Sequence, residues 1–152
     1  MVCTTIEGRY QLSFIPSRQP IGWVGLSVLG YIVVYSARRL YLYTINGRCL
    51  HSEEVGKLFA FYVSKNGEYL VSGGDQGHVV VRSIPGLFKE VHRFRGTYTG
   101  QAAHGNMIRS IATTPLEKHL FVGLQSGHVL IFAYNRDHHR RVFTERLVRM
   151  GF

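Results

Sequence analysis

Side chains that could do chemistry are few and poorly placed for it. The chain has 8 histidines. His78 and His128 each follow a glycine, Gly77 and Gly127, that ends a short polar turn. His138 and His139 adjoin in a basic run, and His104 precedes an apolar segment. A zinc site needs three or four converging ligands. Adjacent strand residues point to opposite faces, and His78 and His128 repeat one position instead of converging. Cys3 and Cys49 make neither a CxxC pair nor a disulfide framework, which fits a reducing compartment. The stretch Gly73-Gly74-Asp75-Gln76-Gly77 resembles a phosphate cradle only in glycine content. It leads from one strand-like run into another, with no following helix to offer amide donors to an anion. The acids are scattered, and no serine stands in a nucleophile-elbow context. The sequence predicts no enzyme, no metal and no cofactor.

The elements that carry these residues are strands. An apolar fraction of 45% with 12% aromatic residues and 17 glycines leans toward strands and turns around a core. One segment, from Gln19 to Ala37, is free of charge and just reaches the roughly 20 residues a spanning helix needs. Its Pro20, Gly22, Gly25, Ser27 and Gly30, and the run Ile32-Val33-Val34-Tyr35, suit two short strands with a turn near Leu29-Gly30 instead. The opening "MVCTTIEGRYQLSF" lacks the basic-then-apolar order of a secretory signal. Lys and Arg number 18 against 9 Asp and Glu, a formal charge of +9. Such an excess favours acidic protein surfaces, phospholipid headgroups or nucleic acid, or is simply a solvated surface.

The chain repeats itself. At an offset of 50, Tyr69-Leu70-Val71 falls on His119-Leu120-Phe121, and Gly77-His78-Val79 falls on Gly127-His128-Val129. Upstream, Leu58 meets Ile108 and Phe61 meets Ile111. A weaker copy at an offset of 39 aligns Tyr31 to Ile45 with Leu70 to Ile84, position for position in apolar pattern. Periods of 20 to 50 residues mark arrays of one supersecondary unit, and about 40 to 45 suits a four-stranded propeller blade. In the central unit, "KLFAFYVS", "EYLVSGG", "HVVVRSI" and "FKEVHRF" read as four strands. The turns Lys65-Asn66-Gly67 and Asp75-Gln76-Gly77 tolerate φ > 0. Val79-Val80-Val81 and Val129-Leu130-Ile131 are apolar on both faces, as in strands covered from both sides.

"AHGNMIRSIATTP", Ala103 to Pro115, resembles the WD40 pattern G-H-x3-V-x2-V-x-F-S-P, and "LVSGGDQGHVVVRS" resembles the stretch that ends in Trp-Asp. The resemblance implies a structural tetrad of His, Ser/Thr, Asp and Trp. The central unit keeps Ser72 and Asp75, with Glu54 near the His position and Arg82 at the Trp position. The next keeps His104, with Val122, Gln125 and Phe132 at the other three. "LYLYTINGRCL", "GGDQGHVVVRSI" and "LFVGLQSGHVLIFAY" are similar to the carboxyl-terminal WD40 region of neurobeachin-like BEACH-domain proteins, from about Gly22 to Tyr134. That resemblance implies a large cytoplasmic scaffold in vesicle traffic and membrane-protein sorting.

The expectation is therefore an all-β chain of about three WD40-type blades, four-stranded antiparallel sheets in an incomplete ring, since closed propellers use about 4 to 8 blades. Residues 1–20 read as a blade remnant with one strand, Arg9 to Ile15. Blades follow at about 21–56, 57–96 and 104–134, and residues 135–152 form a basic tail or last strand, "RVFTERLV", with a basic amphipathic helix as the alternative. The remaining blades or a BEACH domain are expected in a longer protein. Ser72, Asp75, Gly77, His104 and Gly127 are the structural turn and tetrad positions. Arg93, Arg95, Tyr98, Arg140 and Arg141 are the candidate partner-facing residues. Protein partners meeting the propeller loops are expected, with peripheral contact to anionic endomembranes and no nucleic acid. Sequence-independent binding of membrane or RNA, led by Arg38, Arg39, Arg93, Arg95, Arg140 and Arg141, is the competing reading.

Overall fold

A computed structural model describes residues 18–95, 106–134 and 143–146, the last four and Tyr134 as backbone only. Their strands form three antiparallel four-stranded sheets, each ordered as it runs along the chain. The first holds β1 (Ile21–Ser27), β2 (Tyr31–Ser36), β3 (Arg39–Thr44) and β4 (Cys49–Glu54). The second holds β5 (Leu58–Val63), β6 (Tyr69–Gly74), β7 (His78–Ser83) and β8 (Lys89–Arg95). The third holds β9 (Ile108–Thr113), β10 (His119–Leu124), β11 (Val129–Tyr134) and β12 (Phe143–Arg146). The uncharged segment is thus the hairpin β1–β2, and among the described residues no helix is long and apolar enough to cross a membrane. Residues 143–146 take the strand alternative, pairing with β11.

Each sheet is a blade that cannot bury both faces alone, so the blades stack. Between the first and second lie Val33, Tyr35, Leu40, Leu42, Leu70, Ile84 and Phe88, all buried. Between the second and third lie Val71, Val79, Val81, Ile108, Leu120, Val122 and Phe132. Strand alternation sorts the second blade's side chains: Leu70, Ser72, Arg82 and Ile84 face the first blade, and Val71, Val79 and Val81 the third. The innermost strands meet one another, β1 against β5 and β5 against β9. Among the described residues the first and third sheets do not join, so the ring is open. On the first blade's far side Val24 (55%) and Leu26 (64%) are exposed.

Matching bends carry the repeat. The Gly77 amide donates to the Gly74 carbonyl (3.3 Å) and the Gly127 amide to Leu124 (3.0 Å), at φ 69° and 84°. A β-branched side chain is strained at such φ. The first blade departs from the pattern. There Ser36 pairs directly with Arg39, leaving a two-residue turn, whereas Gly73 pairs with Val79. Val33 and Tyr35 face the next blade as Val71 and Gly73 do, while Leu40 and Leu42 match Val79 and Val81. The position-for-position match expected at 39 therefore holds along β3 and slips to 38 along β2. Because β2 is apolar on both faces, hydropathy alone could not reveal the slip. Arg38 takes the place of Gly77 at φ 65°, beside Ala37 at 50°, the two left-handed residues of a tight hairpin.

Candidate partner-binding surface

The tetrad positions of the second blade hold a polar link between blades. Arg82, 6% exposed, donates through Nη1 to Ser72 Oγ (2.9 Å) and through Nε to Glu53 Oε1 (3.2 Å) on β4 of the first blade. The second Glu53 oxygen lies 3.5 Å from His51 Nε2. Burial pulls the Arg82 guanidinium below its ordinary range, and the Glu53 carboxylate pushes it back up. Glu53, not the neighbouring Glu54, fills the acidic place expected here, because alternation along β4 turns Glu54 out to solvent. Asp75 takes part through its backbone: its amide donates to Lys57 O (3.1 Å), tying the β6–β7 turn to the entrance of β5.

A second junction tacks the opposite ends of the second and third blades together. Glu117 Oε1 accepts from Tyr62 Oη (2.5 Å) and from the Lys65 amide (2.7 Å), while Lys65 Nζ donates to Pro115 O. Burial, then the bond to Glu117, raises the Tyr62 pKa. Beside this junction is a cleft of about 230 Å³ walled by Tyr62, Tyr69, Val81, His92, His119 and Leu120.

On the face that bears the β6–β7 and β10–β11 turns, cations gather around one aromatic ring. Arg109 Cζ lies 4.3 Å from the centroid of Phe59, and Lys57 Nζ lies 5.5 Å from it. Arg109 Nε donates to Gln125 Oε1 (2.5 Å). The Gln125 amide in turn donates to Met107 O (2.8 Å), which fixes this turn against β9 as Asp75 fixes its own against β5. Among the described residues neither Lys57 nor Arg109 has a carboxylate within ion-pair distance.

The anticipated partner-facing residues are dispersed. Arg93 is held on the outer strand by both oxygens of Glu90 (2.8 Å each), a bond that raises its pKa and lowers that of Glu90. Arg95 is exposed at the end of β8, opposite His78. Arg38 is exposed in the tight turn, and Arg39 reaches Ser52 Oγ at 3.4 Å. Tyr98, His104, Arg140, Arg141 and the strand from Arg9 to Ile15 lie outside the described residues. The Lys57–Phe59–Arg109 group was not anticipated, although the offset of 50 that aligned Leu58 with Ile108 also sets Phe59 on Arg109.

Stacked four-stranded blades with these turns define a WD40-type β-propeller segment. Two solved structures share the fold: "Structure of U3-55K" (TM-score 0.66, 14% identity, 86% of this chain and 40% of that one) and "Crystal structure of RRP9 WD40 repeats" (0.67, 15%, 88% and 40%). The neurobeachin beta propeller domain model matches residues 1–142, and the chain belongs to that family. It is 36% identical over 142 residues to BEACH domain-containing protein B of Arabidopsis thaliana, covering 91% of this chain and 5% of that protein. It is 31% identical over 147 residues to BEACH domain-containing protein lvsE of Dictyostelium discoideum, covering 85% and 6%. The chain thus spans about a twentieth of the length of these relatives. Propellers of this kind are in general non-catalytic scaffolds that bind protein partners.

Proposed function

We propose that this segment is a non-catalytic, protein-binding part of a BEACH-type scaffold acting in vesicle trafficking and membrane-protein sorting, on the cytoplasmic side of endomembranes. The observation that carries the reading is the division of its polar groups. The interior arginine is satisfied by Ser72 and Glu53, while among the described residues Lys57 and Arg109 stand at the surface with no carboxylate within ion-pair distance. Charge left free on a loop-bearing face is available to a partner. Proximity labelling by the tagged chain in cells tests the proposal: enrichment of sorting and coat proteins is expected. A labelled set identical to that of an unrelated propeller of equal size overturns it.

A second reading, direct binding of anionic membrane or RNA, draws on the charge of +9. Ionic strength separates the two. Steep loss of cofractionation with vesicles or RNA between low and physiological salt supports the anion reading. Protein capture that survives this range supports scaffolding.

A further inference from the structure

Phe59 and Arg109 are each the second residue of an innermost strand, β5 and β9, and adjacent blades bring them together. Stacking on the ring and the bond to Gln125 hold the guanidinium in place through its face and its Nε. Its two terminal amino groups make no hydrogen bond among the described residues. A guanidinium restrained in this way is prepared for a bidentate grip on a carboxylate, with less side-chain freedom left to lose. Lys57 adds a second, point-like charge beside the same ring. An extended peptide presents side chains i and i+2 to one side about 7 Å apart, so acids at that spacing can meet two cations that share one aromatic platform.

Resting on the scaffolding reading, we infer that Lys57, Phe59 and Arg109 form the docking point for an extended acidic segment of a partner protein. Three residues around one ring, at the entrances of β5 and β9, make a narrow anchor on the scale of a single peptide strand. A phenylalanine face beside cations also suits the apolar stems of glutamate side chains.

Fluorescence anisotropy with a labelled ten-residue peptide alternating Glu and Ser tests the inference on the 152-residue chain, with its Gln-for-Glu counterpart as control. Preferential binding of the acidic peptide is expected, weakening tenfold or more in Arg109→Gln and several-fold in Lys57→Gln. Phe59→Leu, which keeps the apolar volume, is expected to weaken binding without lowering the melting temperature beyond the Arg109→Gln value. Equal affinity for both peptides, or no change in Arg109→Gln while the melting curve is unaltered, overturns the site. Tighter, Arg109-dependent binding to vesicles with 30% phosphatidylserine or to polyuridylate overturns the partner class. If the peptide fails while proximity labelling still enriches sorting proteins, the docking point is wrong and the scaffolding reading stands.

Discussion

Glu53 on β4 and Phe94 on β8 hold equivalent places. Each lies on the outermost strand of its blade, paired with Leu40 and Val79, themselves equivalent residues. Each reaches across to the next blade at one repeated position, Arg82 in the second blade and Phe132 in the third. Next to these stand Ser72 and Val122, a second repeated pair. One interface is therefore closed by an ion pair and a hydroxyl. The other is closed by two rings 4.5 Å apart over a valine. The backbone frame sets where a cross-blade contact must occur, and leaves open which chemistry fills it. A buried guanidinium needs all its partners, whereas two rings need only shape.

The comparison can be broken most sharply on its apolar side. Phe132→Ala removes a fully buried ring between blades and is expected to cost about 3–5 kcal/mol in urea unfolding. A loss under half that size shows that the second and third blades do not rely on this contact. Glu53→Ala leaves Arg82 buried with Ser72 as its one remaining hydrogen-bond partner among the described residues. Because the Glu53 side chain is 33% exposed, the expected cost is about 2 kcal/mol, below the 3–5 seen when a fully buried pair is broken. Glu53→Phe combined with Ser72→Val and Arg82→Phe converts the first interface into a copy of the second. That triple variant is expected to equal or exceed the parent in stability, by up to about 1–4 kcal/mol. A loss larger than that of Glu53→Ala would show that the ion pair fits this frame better than rings do.

The same repeated position in the first blade is Tyr43, which extends the comparison to pH. Burial, with the nearby Cys49, pushes its phenol up to about 12 from the ordinary 10. The folded chain then holds its proton more tightly than the unfolded chain. This contribution is complete below pH 10 and is lost as the pH climbs from 10 towards 12. In melting curves over that range Tyr43→Phe is expected to soften the alkaline fall. An unchanged alkaline fall in the variant removes Tyr43 from the account. This is the smallest of the expected effects.

Much of the architecture was legible from residue order. The glycines at 77 and 127, the alternating apolar runs and the offset of 50 specify hairpins and their repetition, because turn conformations with φ > 0 and two-residue periodicity are local properties. The first blade was harder to read. With β2 apolar on both faces, sliding it by one residue leaves the hydropathy match intact, and only packing against Leu70 and Ile84 decides its register. Which acid meets Arg82 is hidden from the sequence for a related reason. Glu53 and Glu54 are identical in type, and only the pleat of β4 separates a residue turned toward the next blade from one turned to water.

By itself the sequence determined that the chain is a tandem of short antiparallel hairpin units, since turn chemistry and strand periodicity act over a few residues. Only the tertiary structure decided which side chains from different units meet. Glu53 finds Arg82 across 29 residues, and Phe59 meets Arg109 across 50. Such encounters depend on how blades are set against one another, a geometry fixed by the summed packing of whole faces and not written at any single position.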